Sequence, residues 1–147
     1  MIQDAELIFG GAAKAITGAA ATRIPLGGDT GAIDILAAGD NPGPGELELV
    51  IQVNTTVAAS GGAANVTFSL ETKATNDAAV AGTGWTVLWK SAAIAKATLV
   101  AGYTVVRLRL PKGCLRYLQV VALPDTNEVT SGKVDAFLTP ASQYNAQ

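Results

Sequence analysis

Few side chains in this chain have the chemistry that an enzyme active site needs. Its 147 residues include no histidine and a single cysteine, Cys114. Without histidine, a serine or cysteine nucleophile that relies on a histidine base is excluded, and so is a histidine-containing zinc site. Cys114 itself is interpreted as a small hydrophobic residue on a strand, because no histidine is available to deprotonate it.

Acidic residues are more numerous, but their spacing is not that of a catalytic site. Glu46 and Glu48 lie on one face of a predicted strand. We interpret that face as exposed to water rather than as the carboxylate pair of a glycosidase. Further acids in or beside glycine-bearing loops lack calcium-loop spacing and are interpreted as turn residues. These are Asp29, Asp34, Asp40 and Asp77. We therefore predict a protein that is not an enzyme and that holds no metal or cofactor.

Two arginines are the strongest polar candidates for binding. Arg107 and Arg109 lie two residues apart on the polar face of a predicted strand. Guanidinium groups bind carboxylates through paired hydrogen bonds, so the two side chains could hold an acidic partner. A solvated strand face is the simpler alternative. Together with Arg116, they are the residues that we expect at a polar contact.

The composition favours contact with other proteins over contact with nucleic acid or lipid. Charged residues make up 15% of the chain, below the roughly 25% of typical soluble domains, and the formal net charge is −2. The basic residues are spread out, without the cluster that phosphate binding needs. No apolar run is long enough to span a membrane, and the acidic N-terminus differs from a signal peptide. We expect a single soluble domain, made in the cytoplasm, that binds neither nucleic acid nor membrane.

Alternating hydrophobic residues predict strands. In the clearest run, Leu47, Leu49, Ile51 and Val53 share one face, while Glu48 and other polar residues lie largely on the opposite face. A second alternating run at residues 66–72 follows a glycine pair. We expect these two runs to pair with each other.

The later part of the chain carries further strand signals. Trp85, Val87 and Trp89 fall on one face, where the tryptophans are either core anchors or an exposed platform. Residues 103–110 form another predicted strand, and residues 113–138 are expected to form a closing hairpin. The total is about eight strands without a long helix, which is typical of an all-β sandwich or barrel.

Four short segments, taken in order, link this chain to a known family. They are Met1-Ile2-Gln3-Asp4-Ala5, residues 93–102, Arg116-Tyr117-Leu118 and residues 130–138. Their order and spacing, over nearly the whole chain, resemble the capsid cement proteins of tailed bacteriophages, of the Bordetella-phage type. The chain departs from that pattern in a longer loop at residues 39–45 and an insertion at residues 76–84.

The resemblance implies both a fold and a role. The fold is an all-β jelly-roll sandwich of about eight antiparallel strands. The role is that of a decoration protein on the outer surface of the capsid, where it bridges neighbouring subunits of the major capsid protein. It implies a homodimer, although other decoration proteins are trimers. Such a protein is synthesised in the host cytoplasm and ends up in the virion.

Two groups of residues are predicted to make these contacts. Residues 1–12 are expected to form an N-terminal arm before a jelly-roll domain at residues 13–147, and the arm is expected to dock on a neighbouring subunit. Its contact residues are Met1, Ile2, Asp4, Leu7, Ile8 and Phe9. The second group is expected at self-association or capsid contacts, and it comprises Arg107, Arg109, Arg116, Tyr117, Val121 and Phe137.

The main alternative is a carbohydrate-binding module. Jelly rolls often serve as lectins, and Trp85, Trp89 or Tyr103 could stack on sugar rings. A hydrolase that works through carboxylates alone has less support, because the sequence contains no convincing pair of close acids.

Overall fold

Strands are the regular structure of this chain in its computed structural model, which describes residues 8–9, 12–26, 33–35, 47–75 and 84–140. No helix occurs in these ranges, and so none that could span a membrane. The prediction of an all-β protein is confirmed. The described strands are β1 (Lys14–Ala15), β2 (Ile24–Pro25), β3 (Ile33–Asp34), β4 (Leu47–Ala59), β5 (Asn65–Lys73), β6 (Thr86–Lys90), β7 (Ile94–Ala95), β8 (Thr104–Arg109), β9 (Tyr117–Pro124) and β10 (Val129–Pro140).

The strands form two antiparallel sheets. The first sheet has the order β1-β10-β4-β8. The second has the order β2-β9-β5-β6, with β3 also paired to β9 and β7 to β5. The last two strands along the chain, β9 and β10, therefore each lie inside a sheet, between strands that come earlier.

The inner faces of the two sheets share one hydrophobic core. Leu49 and Ile51 of β4 and Phe68 and Leu70 of β5 are fully buried in it. The predicted inward face of β4 is confirmed, because its alternate residues from Leu47 to Val53 all belong to this core. Period-two alternation has this effect because successive side chains of a strand point to opposite faces.

The strand partners differ from two predictions. Residues 47–57 and 66–72 do not pair, because β4 lies in the first sheet and β5 in the second. The predicted hairpin at residues 113–138 is wrong for the same reason, since β9 and β10 are in different sheets.

The connections that follow β4 and β9 each cross between the sheets, and they are hydrogen-bonded to each other. The Ser60 amide donates to the Glu128 carbonyl at 3.0 Å. The Asn127 side-chain amide donates to the Ala63 carbonyl at 2.9 Å. These hydrogen bonds hold the two connections together, and neither connection is the turn of a hairpin.

An irregularity in β6 separates the residues that were predicted to share a face. Trp89 lies opposite the core residue Leu70, whereas Val87 lies opposite Glu71, with a register shift between the two pairs. A bulge of this kind changes the face of the residues beyond it. Trp89 consequently packs against the core, while Val87 is 51% exposed on the outer face of the second sheet.

Candidate interaction surfaces

The predicted contact residues are distributed over both sheets. Arg107 and Arg109 lie on β8 and Phe137 on β10, in the first sheet. Tyr117 and Val121 lie on β9 in the second sheet, and Arg116 directly precedes that strand. The structure therefore does not bring them into one patch.

One surface is the free side of β8, the last strand of the first sheet. Within the ranges described above, β8 pairs only with β4. The Leu110 amide donates to the Leu47 carbonyl at 2.9 Å, and Leu108 lies opposite Leu49. Because hydrogen-bonded and non-hydrogen-bonded pairs alternate in an antiparallel ladder, the backbone N–H and C=O groups of Arg107 and Arg109 point away from β4.

The side chains on this strand give the free side a positive character. The Arg107 Nε donates to the Glu48 Oε2 at 2.9 Å, with the Arg107 side chain 52% exposed and that of Glu48 11% exposed. The prediction that Glu48 faces water is therefore wrong, because Arg107 covers it. Arg109 is exposed and forms no ion pair with any residue that the structure describes. We call Thr104–Arg109 with Glu48 the β8 edge.

A second surface is a row of aromatic and cationic residues across one end of the second sheet. Tyr117 lies between Asp34 and Lys73 in the strand register. The Lys73 Nζ is 6.0 Å from the centroid of the Trp85 ring. We call Lys73, Trp85, Arg116 and Tyr117 the Trp85 row. Its residue types, Trp, Tyr and Arg, are those enriched at the centres of protein interfaces.

Arg116 is held in place within this row. Its guanidinium donates three hydrogen bonds to the Asp34 carboxylate, at 2.8, 3.0 and 3.1 Å, and lies 5.2 Å from the centroid of the Tyr117 ring. The hydrogen bond to Asp34, together with the charge of that carboxylate, raises the pKa of Arg116 above its ordinary value. The ion pair with Asp34 therefore fixes the orientation of the Arg116 side chain.

A buried carboxylate on the outer face of the second sheet was not found from the sequence. Glu71 is 1% exposed and accepts hydrogen bonds from Arg23 at 2.5 Å, Gln119 at 3.0 Å and Ser69 at 3.1 Å. These contacts fix the segment that contains Arg23 across β5 and β9. With its oxygens engaged by three donors, Glu71 is suited to hold structure rather than to transfer a proton.

Alternation does place Glu71 on a polar strand face, which suggests exposure. Its burial depends on Arg23, and nothing in the sequence spacing of Arg23 and Glu71 indicates that the two side chains meet. The structure describes no group of three or more potential metal-ligating side chains. Glu46, Asp29, Asp40, Asp77 and the loop at 39–45 lie outside the described residues.

Cys114 lies in the connection between β8 and β9 rather than on a strand, which corrects its predicted location. It packs against the core, and its Sγ lies 3.1 Å from the Pro111 carbonyl oxygen, to which it donates. Burial raises the pKa of the Cys114 thiol above its ordinary value. The neutral thiol is favoured, as expected of a packing residue and not of a nucleophile.

The start of the described chain is part of the two-sheet domain itself. Phe9 is completely buried in the core, and its amide donates to the Ala136 carbonyl at 2.9 Å. Ile8 forms a β-bridge with Phe137. These two residues of the predicted arm therefore pack on their own chain, and contact of Ile8 with a neighbouring subunit stays a prediction. The remaining arm residues, Met1, Ile2, Asp4 and Leu7, lie outside the described residues.

Two other predicted contact residues have almost no free surface. Val121 is 1% exposed and Phe137 is 5% exposed. Both lie on outer sheet faces, since Val121 is opposite Ser69 and Phe137 is opposite Val50, none of which belongs to the shared core. Their burial within one chain runs against their interpretation as contact residues. Tyr117, which is half-buried, keeps surface for a partner.

The aromatic residues considered for sugar stacking are mostly occupied. Trp89 and Tyr103 pack against the core. Trp85 has the Lys73 ammonium near its ring. All three residues are of intermediate exposure, so none of them presents a fully open aromatic ring.

Comparison with known proteins gives one result that covers most of the chain. No curated protein matches it. The family described as Bbp16 matches residues 11–138, which include every described strand apart from the last two residues of β10. On this match, the chain belongs to the Bbp16 family.

Proposed function

We propose that this chain is a capsid cement protein of a tailed bacteriophage, which binds the outer surface of the head and bridges neighbouring subunits of the major capsid protein. The observation that carries the proposal is the Bbp16 match over residues 11–138. The family name suggests a Bordetella phage protein, and the sequence resembles the cement proteins of that type. In this role the chain is a structural protein of the virion and has no catalytic activity.

The strand pairing supports the jelly-roll topology that belongs to this proposal. A jelly roll is an antiparallel ribbon wrapped into two sheets, so that its first strand pairs with its last, its second with the one before, and so on inward. Here β1 pairs with β10, β2 and β3 with β9, β4 with β8, and β5 with β6. If β2 and β3 count as one interrupted strand and β7 as an addition, the four pairs expected of an eight-stranded jelly roll are all present among the described strands.

The chemistry of the surface also suits a cement protein. Only 15% of the residues are charged, so contacts with other protein carry a small desolvation penalty. The Trp85 row and the β8 edge offer separate points of attachment on the two sheets. A homodimer doubles these points, and bivalent attachment strengthens binding without stronger individual contacts.

Binding to phage heads tests the proposal. The purified full-length chain is mixed with heads of the phage that encodes it, prepared without the chain, and the heads are sedimented. We expect saturable co-sedimentation and, in a cryo-EM map, an outer layer over the subunit junctions. If none of the folded chain sediments with the heads, the proposal is refuted. Sedimentation equilibrium of the free chain tests the homodimer separately.

The carbohydrate-binding alternative has less support. It requires an open aromatic face, whereas Trp89 and Tyr103 pack against the core and Trp85 is only partly exposed, with the Lys73 ammonium near its ring. A glycan-dependent change in tryptophan fluorescence would favour this alternative over the cement role.

A further inference from the structure

We propose that the β8 edge accepts an extended acidic segment of the capsid subunit as an additional strand of the first sheet. The identity of the partner rests on the proposed function. The site and the chemistry of the segment it takes are derived from the β8 edge itself.

The backbone of β8 provides the first part of the site. The strand runs over six residues and pairs on one side only, in the part of the chain that the structure describes. The outward N–H and C=O groups of Arg107 and Arg109 are therefore a template for another strand. Thr104, Arg107 and Arg109 are exposed, so the approach from this side is open.

The arginines determine the chemistry of the added strand. Their two-residue separation corresponds to roughly 7 Å along a strand, which is the spacing of alternate residues on a partner strand. Glu48 neutralises Arg107 only in part, since Arg107 stays half-exposed, and Arg109 has no described ion pair. Acidic residues at alternate positions of the added strand would lie next to both guanidinium groups and favour pairing.

A second copy of this chain fits the same edge poorly. Two β8 strands related by a two-fold axis would both carry their arginines on the outer face of the continuous sheet. Every register that pairs the outward groups of Arg107 and Arg109 brings the arginines of the two copies close together. Like charges on neighbouring strands destabilise such pairing.

The free edge of the second sheet is a weaker candidate. β6 has five residues, and its register is interrupted between the positions opposite Leu70 and Glu71. A bulge increases local twist and hinders the addition of a regular strand. β6 does, however, carry Lys90, an exposed cation that provides a matched control.

Charged residues also protect sheet edges against unwanted pairing, so the experiment must separate protection from recognition. The full-length chain, its Arg109→Glu variant and its Lys90→Glu variant are titrated with heads that lack the chain. Both variants change the net charge equally, and neither substitution removes a described ion pair. Arg109 lies opposite Glu48 in the strand register, whereas Lys90 lies opposite Ser69, so the stability of the Arg109→Glu variant is compared with that of the parent chain before binding is measured. Circular dichroism and thermal unfolding establish that both are folded.

We expect Arg109→Glu to weaken head binding roughly 10- to 100-fold at low salt, with Lys90→Glu close to the parent chain. In hydrogen–deuterium exchange, bound heads should slow the exchange of residues 104–109 in the parent chain, because an added strand protects outward amides. Equal binding of Arg109→Glu and the parent, or unchanged exchange at 104–109 in the bound state, overturns the β8 assignment and leaves the cement role intact. If the exchange of residues 104–109 slows as the concentration of the chain alone is raised, two copies pair through β8, and the proposed capsid segment is also overturned as its occupant. If the parent chain does not bind heads at all, the proposed function fails, and the capsid segment as occupant fails with it.

Discussion

Replacing Phe9 by alanine tests whether the start of the described chain stabilises its own domain or serves a neighbouring subunit. The side chain of Phe9 is completely buried among residues of its own core, and its amide is bonded to β10. If these contacts stabilise the isolated domain, the variant must be less stable when no capsid is present. If Phe9 instead serves a neighbour, only head binding should change.

The expected loss follows from the burial. Removing a fully buried phenylalanine ring forfeits up to about 3 kcal/mol of transfer free energy. A cavity costs about 24 cal/mol per Å³, so a ring-sized void of about 100 Å³ that half collapses adds about 1 kcal/mol. The total, about 4 kcal/mol, corresponds to a decrease in Tm of roughly 8–16 °C for a domain of this size.

Urea and thermal unfolding of the isolated chain measure this loss. Leu115→Ala is the matched control, because Leu115 is 44% exposed and its truncation should change stability by only about 0.5 kcal/mol. If Phe9→Ala unfolds at the same midpoint as the control, the packing of Phe9 does not stabilise the domain, and the assignment of this residue to the core is refuted.

Three further predictions concern the strands, the buried carboxylate and the thiol. Gly132→Ala should destabilise the chain by about 1–3 kcal/mol in urea unfolding, because Gly132 has φ +147° and a Cβ there would lie 3.0 Å from a side chain of β4. The control, Gly62→Ala, should be near neutral, because a Cβ at Gly62 would have no atom within 4 Å. Equal losses of stability in the two variants would contradict the reasoning. Glu71→Ala should cost about 2–3 kcal/mol in the same assay, somewhat less than the roughly 3–5 kcal/mol for breaking a fully buried ion pair, because the Arg23 side chain is 39% exposed and can be hydrated. An unchanged midpoint would mean that the three donors find other acceptors. Cys114 should react with iodoacetamide more slowly at pH 8 in the folded chain than in urea, because burial raises its pKa and keeps the thiol protonated. The stability that depends on the neutral thiol should be complete below the ordinary thiol pKa of about 8.5 and should decline as the pH rises above it. Equal reaction rates in the folded and unfolded chain would refute the burial of the thiol.

The sequence was informative where a property depends on neighbouring residues in the chain. The alternation from Leu47 to Val53 predicts a strand and its buried face, because side-chain direction along a strand depends only on the chain itself. The strand with which β4 pairs could not be predicted in this way. Pairing depends on where the turn after β4 sends the chain, and it leads to the other sheet instead of back along the same one.

At the candidate surfaces, too, features set by local spacing were predicted and features set by distant residues were missed. Arg107 and Arg109 were found because their spacing alone places both on one strand face. The burial of Glu48 and Glu71 was missed, because it depends on arginines that are distant in the sequence, Arg107 and Arg23. A bulge in β6 likewise separated Trp89 from Val87, since one extra residue changes the face and leaves no mark in the pattern.

The position of β9 and β10 has a consequence for biosynthesis. As the chain leaves the ribosome, β4 and β5 emerge long before β10 and β9, the strands that flank them. Until then, both sheets have gaps at their centres, with backbone groups and apolar faces open to other nascent chains. Pairing between strands so far apart in sequence is slow. We therefore expect folding to be completed after translation of β10 and its yield to depend on chaperones or on low expression temperature.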